Sequence, residues 1–300
     1  MTRVLRLNTF SQGSALLAAQ HRGYLEEQGL ALEVDIAEGS RSQMEGLLAG
    51  GWDLVHTNAD NVMKFRAFGH SGLTIFLVLD TGIAQKLIAA PDIGSFADLR
   101  GRPVGVDAPD SGYAFVLYEL LRRNGLEKDD YEVVPLGATG YRLQGLQRGE
   151  IVAGLLSHHH EATALDDGFR ILADTREHFG GHPGVTAATT TEWAASNPEA
   201  LRGYTTALLR AAEWAMNPAN EDDVVGVVAR GRAVDEDRAR RILRIEAASR
   251  TGTVRSTDEA EASLALTAAL RAQYTGMRPE GYFDPAAMRA ALPAVGRAAE

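Results

Sequence analysis

The chain has 300 residues, 45% of them hydrophobic, enough to bury a substantial core in one large domain or two smaller ones. A formal net charge of -10 without any Lys/Arg run argues against nucleic acid and anionic lipid as partners. The absence of cysteine removes disulfides, thiol nucleophiles and Cys-based metal sites, and no run of about eighteen apolar residues exists to span a membrane.

Val4 to Asn8 reads as a first strand. The polar turn from Thr9 to Ser14 then feeds a helix to about Arg22, with Ser11 or Ser14 as its cap. Leu32, Val34 and Ile36 alternate on a second strand, and Glu38-Gly39-Ser40 turns the chain. Ser40 is expected to cap the helix that Met44, Leu47 and Leu48 mark at i, i+3, i+4, and that helix ends on Gly50-Gly51. Trp52 to His56 is a short buried strand, so residues 31–61 form one right-handed βαβ unit with its polar turns at the carboxyl ends of parallel strands. A helix over 59–68, with Val62, Phe65 and Phe68 inward, leads to a strand over 73–79. The βαβαβαβ pattern calls for a mainly parallel sheet with helices on both faces.

Asp80-Thr81-Gly82 interrupts this run, and the stretch 80–91 reads as a first crossing between lobes. The βα pattern restarts with a strand at 103–107, a helix over 111–123 and a strand at 131–136. It continues with a helix over 141–147, a strand at 151–156, a helix or helical turn over 158–165 and a last strand at 169–173. His182-Pro183-Gly184 breaks the chain again, and residues 185–190 read as a strand returning to the first lobe. Asn197 with Pro198 starts a long helix striped by Leu201, Tyr204 and Leu208. Helices near 220–230, 235–249, 257–275 and 285–292 follow, and carry no chemical motif.

The segments ALLAAQHRGYLEEQGLALEVDIAEGSRSQMEGLLAGGWDLVHTNADN, FADLRGRPVGVDAPDSGYAFVLYELLRRNGL and LQGLQRGEIVAGLLSHH come in the right order and spacing. Together they resemble the type 2 periplasmic binding proteins of the sulfonate, nitrate and taurine group and of the thiamine-pyrimidine-precursor group. The resemblance covers roughly residues 4–190. It implies an α/β fold of two lobes, each a mainly parallel sheet flanked by helices, with a helical C-terminal region. Lobe I would be residues 1–83 plus 185–300 and lobe II residues 84–184, with hinge crossings near 80–91 and 180–186. A small organic ligand, often anionic, would be closed between them.

Carried onto this chain, the family's ligand positions are Thr9, Ser11, Gln12, Ser40, Arg41, Thr57, Asn58, Asp107, Ser111, Tyr113, Thr139, Tyr141, Ser157 and His158. Helix N-termini there offer free N–H groups and about half a positive charge, which suits a carboxylate or sulfonate. Thr9, Ser11, Ser40, Ser111 and Thr139 read equally well as plain N-caps, and Arg41 as a solvated helix-start arginine. Asn58→Ala and Arg41→Ala are expected to weaken a ligand-induced thermal shift without changing the unliganded melting point.

The leading reading is a solute-binding protein that closes on a small anionic or heteroaromatic metabolite and, if exported, serves an ABC transporter permease. The alternatives are a cytoplasmic enzyme on the same fold, a decarboxylase, lyase or pyrimidine-precursor type, or a cytoplasmic ligand sensor. The enzyme would use His158, Asp107 or His56 as acid or base. His158 with Glu161, at i, i+3, is the one arrangement in the His158-His159-His160 run suited to a metal, yet acids to complete a shell are not evident. The cysteine-rich iron segment of the related enzymes is absent, so no cofactor is expected and their activity is not carried over. The chain is expected to be a monomer. As written it lacks a leader before its first strand, which points to the cytoplasm, or to the periplasm if a signal was removed.

Overall fold

The computed structural model describes residues 2–81, 85–157, 159–184, 186–248 and 254–296. In chain order the elements begin with β1 (Arg3–Thr9), α1 (Ser14–His21), β2 (Leu30–Ile36), α2 (Ser40–Leu48), β3 (Leu54–Thr57), α3 (Ala59–Ala67) and β4 (Leu73–Val78). They continue with β5 (Gln85–Ala89), β6 (Pro103–Val106), α4 (Gly112–Arg123), β7 (Glu132–Pro135), α5 (Thr139–Gln147), β8 (Ala153–Ser157), α6 (His159–Asp166), β9 (Arg170–Asp174) and α7 (Thr175–Phe179). After β10 (Thr186–Thr190) come α8 (Thr191–Ser196), α9 (Pro198–Met216), α10 (Glu221–Arg232), α11 (Glu236–Ala248), α12 (Thr257–Thr275) and α13 (Ala286–Ala291). The short helices α7 and α8 went unseen in the sequence, being too brief for a hydrophobic period to register. Among the described residues no helix is long and apolar enough to cross a membrane.

The chain divides into two compact units. Unit 1 comprises residues 1–82, 181–268 and 278–300, and unit 2 comprises 83–180 and 269–277. The sequence placed 269–277 in lobe I, but side-chain bonding ties this segment to unit 2. Gln273 Nε2 and Tyr274 Oη donate to Glu119 at 2.9 and 3.2 Å, and Arg271 Nη2 donates to the Asp110 carbonyl at 3.1 Å.

Unit 1 holds a five-stranded sheet in the order β2-β1-β3-β10-β4. Strands β1, β2 and β3 are parallel, and β10 runs antiparallel to both of its neighbours, β3 and β4. Leu5, Leu7, Leu54, Val55, Ile75 and Leu77 are fully buried in its core, each contributing roughly 1.5–3 kcal/mol relative to exposure. Two expected core positions are not in the core. Ile36 is exposed because β2 is an edge strand, and Phe68 is exposed because α3 ends before it and Phe68 serves as its C-cap. The free edge of β4 is covered by a bridge from Ile75 to Phe283, flanked by bonds to Tyr282 and Asp284.

Unit 2 repeats this order as β7-β6-β8-β5-β9. Here β5 is the antiparallel strand, paired with β8 and β9. Each sheet thus takes one strand against the grain, in keeping with the expected mainly parallel sheets. Gly46 shows how closely the helices pack. A Cβ at that position would lie 2.0 Å from Cζ3 of Trp52, so only glycine lets α2 close onto the aromatic ring leading into β3.

Candidate functional site

In unit 1, β1 lies between β2 and β3, so its two parallel neighbours are reached in opposite directions. In unit 2, β6 stands in the same way between β7 and β8. Such switch points open a crevice at the carboxyl ends of the strands, where ligands of open α/β sheets bind. Each crevice is held by one buried polar side chain, the fourth residue of a nine-residue helix. In unit 1, Gln43 Nε2 donates to the Asn8 carbonyl (3.2 Å), Asn8 Oδ1 (3.0 Å) and the His56 carbonyl (3.1 Å). In unit 2, Arg142 Nε donates to the Leu155 carbonyl (3.0 Å), Nη1 to the Gly137 carbonyl (2.6 Å) and Nη2 to Thr139 Oγ1 (3.1 Å). Both residues stand 13 positions before the strand residue whose carbonyl they bind.

Sequence reading missed Gln43 and Arg142. The signal was available as an internal repeat, SRSQMEGLLAGGWD against TGYRLQGLQRGEIV, in which the Gln and Arg align. The three acceptors around Gln43 Nε2 fix its amide orientation, and its Oε1 is buried with no hydrogen-bond partner among the described residues. Burial holds the Arg142 guanidinium below the usual arginine range, and the nearby Asp107 charge opposes that shift.

The expected ligand residues fall into three groups. In the first, side chains stand at the crevices but are engaged by their own loops. Thr9 Oγ1 donates to the Ser11 carbonyl at 2.8 Å, and Thr57 Oγ1 accepts from Asn61 Nδ2 at 2.9 Å. Asp107 accepts from the Ser111 hydroxyl at 2.5 Å, and Ser111 Oγ accepts the Ala114 N–H as the cap of α4. Asn58 caps α3 by accepting the Asp60 N–H at 2.8 Å, and its Nδ2 donates to the Gly184 carbonyl at 3.4 Å. Asn58→Ala is therefore expected to lower unliganded stability by about 1 kcal/mol, against the sequence expectation of no change. A melting temperature equal to wild type would refute this.

In the second group, side chains face solvent. The Arg41 side chain is 87% exposed and pairs with Glu45 one turn on, and Tyr141 is 60% exposed. Ser11 and Ser40 are exposed, Tyr113 partly so. In the third group, the capping expectation fails. Gly13, Gly39 and Ala138 are the N-caps of α1, α2 and α5, so Ser14, Ser40 and Thr139 begin their helices instead of capping them. Thr139 Oγ1 serves Arg142 instead, and the Gln12 carbonyl accepts from Arg232 at 2.7 and 3.0 Å. His158 and the side chain of Ser157 lie outside the described residues.

Histidine chemistry is also reassigned. His56 is buried in the unit 1 core, its Nε2 2.8 Å from Tyr204 Oη, and burial pulls its pKa down to about 4. Its burial and its bond to a core tyrosine give His56 a packing role in unit 1. Glu161, whose spacing from His158 is the one arrangement suited to a metal, forms an ion pair with Lys86. Among the described residues no group of three His, Cys, Asp or Glu side chains is placed to hold a metal ion.

A pocket of about 510 Å3 opens in unit 1 beside Thr74, Phe76, Leu201, Arg202 and Phe283. Thr74 is the second residue of β4, which runs parallel to β1, and Thr191, also in the lining, follows the end of the antiparallel β10, so this pocket is at the end of the sheet opposite the crevice. The polar side chains described above do not reach it.

Two α/β units of the same strand order, each with polar groups gathered at its switch point, define the fold class of the two-lobed solute-binding proteins. The chain belongs to the NMT1/THI5-like family, whose family model matches residues 11–221. Among solved structures it is similar to the alkanesulfonate-binding protein SsuA from Xanthomonas axonopodis pv. citri bound to MOPS, at 18% identity, TM-score 0.75, over 94% of this chain and 98% of that one. A putative periplasmic sulfonate-binding protein SsuA from Methylobacillus flagellatus KT matches at 15% identity, TM-score 0.77, over 98% and 95%. The desulfurization enzyme DszB matches at 15% identity, TM-score 0.69, over 98% and 99%. At these identities the likeness is one of fold. A search of curated proteins finds no match.

Proposed function

We propose that the protein is a solute-binding protein that takes a small organic acid or heteroaromatic metabolite and, if exported to the periplasm, presents it to an ABC transporter permease. The observation that carries this reading is the repeated crevice. Each unit offers a polar strand-end edge anchored by a buried amide or guanidinium, and a ligand that draws groups from both edges supplies the energy of a closing motion. Relatives of the same fold bind sulfonates, and a buried cation in unit 2 suits an anionic group. For the enzyme reading, His56 sits in the core bonded to Tyr204, and Asp107 stands at the unit 2 edge bonded to Ser111.

The test is a thermal-shift screen of alkanesulfonates, carboxylates, pyrimidines and aromatic acids. A ligand at 100 times its Kd is expected to add about 2.7 kcal/mol of stability. Tyr141→Ala, which removes an exposed ring at the start of α5, is expected to leave the unliganded melting temperature unchanged and to reduce the ligand shift. A panel with no stabilising member, or chemical turnover of the ligand, overturns the proposal.

A further inference from the structure

The start of α1 follows the carboxyl end of β1 after a turn of residues 10–13, in the place where an anionic ligand group would meet free helix amides. No side chain of the turn caps this helix. Instead, a carboxylate from 232 residues further along the chain does so: Ser14 N–H donates to Glu246 Oε2 at 3.0 Å. Glu246 is buried, and its Oε1 accepts from Arg232 Nη2 at 3.1 Å. The same guanidinium binds the Gln12 carbonyl through Nε and Nη2, closing a ring from the turn through α10 and α11 back to the helix start. Glu246 Oε1 also lies 3.8 Å from where a Gly13 Cβ would stand, so the carboxylate rests over the turn itself.

We infer that Glu246 is a specificity-determining residue: an internal anion that fills the helix start and turns away anionic ligand groups from this part of the unit 1 edge. This inference rests on reading that edge as ligand-facing. Two like charges cannot share the few amide donors of one helix turn. The ligand atom that reaches Thr9–Ser14 is accordingly a hydrogen-bond donor, such as an amine or ring N–H, and the anionic group of the ligand is received elsewhere. Arg232 is the positioning residue, because it fixes the carboxylate and the turn together.

Inorganic sulfate is the probe, since it needs no knowledge of the metabolite and separates this inference from the ligand screen. Melting temperatures of wild type, Glu246→Ala and Glu246→Ser are compared across sulfate concentrations against chloride at matched ionic strength. Removal of the carboxylate is expected to lower stability and to create a saturable sulfate-dependent recovery of several degrees, absent in wild type. Glu246→Ser retains a small acceptor and covers the case in which the alanine variant does not fold. Equal recovery in wild type, or no recovery in either variant, overturns the inference even if the ligand screen succeeds.

Discussion

Acidification is expected to strip unit 1 of stability well above the range in which carboxylates usually titrate. Two histidines are buried there. His56 meets Tyr204, and His182 has Nε2 3.3 Å from Thr267 Oγ1 and Nδ1 3.0 Å from the Pro183 carbonyl. Burial takes both from an ordinary value of 6.5 to about 4, with the Pro183 carbonyl opposing the shift at His182. In the unfolded chain both bind protons as pH falls through 6.5, while the folded protein keeps them neutral until about 4. Their contribution is therefore complete above pH 6.5 and is lost as pH falls toward 4. Between about pH 7.5 and about pH 5 the loss is roughly 2 kcal/mol for each histidine. Denaturant titrations across that range, on wild type and on a His56→Gln, His182→Gln double variant, measure it. The wild-type curve should fall and the double variant should fall much less; parallel curves would show that the histidines do not titrate with folding.

Glu119→Gln is expected to cost unit 2 on the order of 2–3 kcal/mol, below the roughly 3–5 kcal/mol of breaking a fully buried pair because its arginine partners are partly solvated. Glu119 is a buried hub. It accepts from Arg122 Nε and Nη2 at 2.9 Å, Arg123 Nε at 2.8 Å, Gln273 Nε2 at 2.9 Å and Tyr274 Oη at 3.2 Å. Bonding from Arg122 first, then Arg123 and Gln273, holds its carboxyl down at about 2 in spite of burial. An amide of the same shape presents two N–H donors to groups that are themselves donors, and loses the charge. Since the folded pKa is depressed, the stabilisation is present above the unfolded value near 4.5 and disappears as pH falls through about 2. Chemical denaturation at neutral pH checks the size of the effect, and limited proteolysis checks whether residues 269–277 are released. A loss below about 1 kcal/mol with no new cleavage in that segment would remove Glu119 from this role.

The crevices join these stability arguments to function. Gln43 donates to carbonyls of the neighbouring strands β1 and β3, and Arg142 to the Leu155 carbonyl of β8 and the Gly137 carbonyl just after β7, so the side chains that tie these edges together also set their polarity. A neutral amide in one unit and a guanidinium in the other give the two edges different electrostatic character despite equal strand order. Under the proposed function, that difference and the Glu246 carboxylate at the start of α1 are where a preference among ligands would be written.

The sequence by itself determined the elements whose evidence is local. Period-2 and period-3.6 patterns placed β1 to β4, the second βα series and the long helices, and three ordered segments pointed to the family that the match over residues 11–221 shows. Tertiary structure alone decided what depends on distant partners. The cap of α1 comes from Glu246, the partner of His56 is Tyr204 at a separation of 148, and the exposure of Ile36 follows from the edge position of β2. Periodicity reports which face of an element is apolar, because that is a property of neighbouring residues. It carries no information on which remote side chain satisfies a buried amide, carbonyl or imidazole, because burial of polar groups is settled by hydrogen bonds that form only when the whole unit closes.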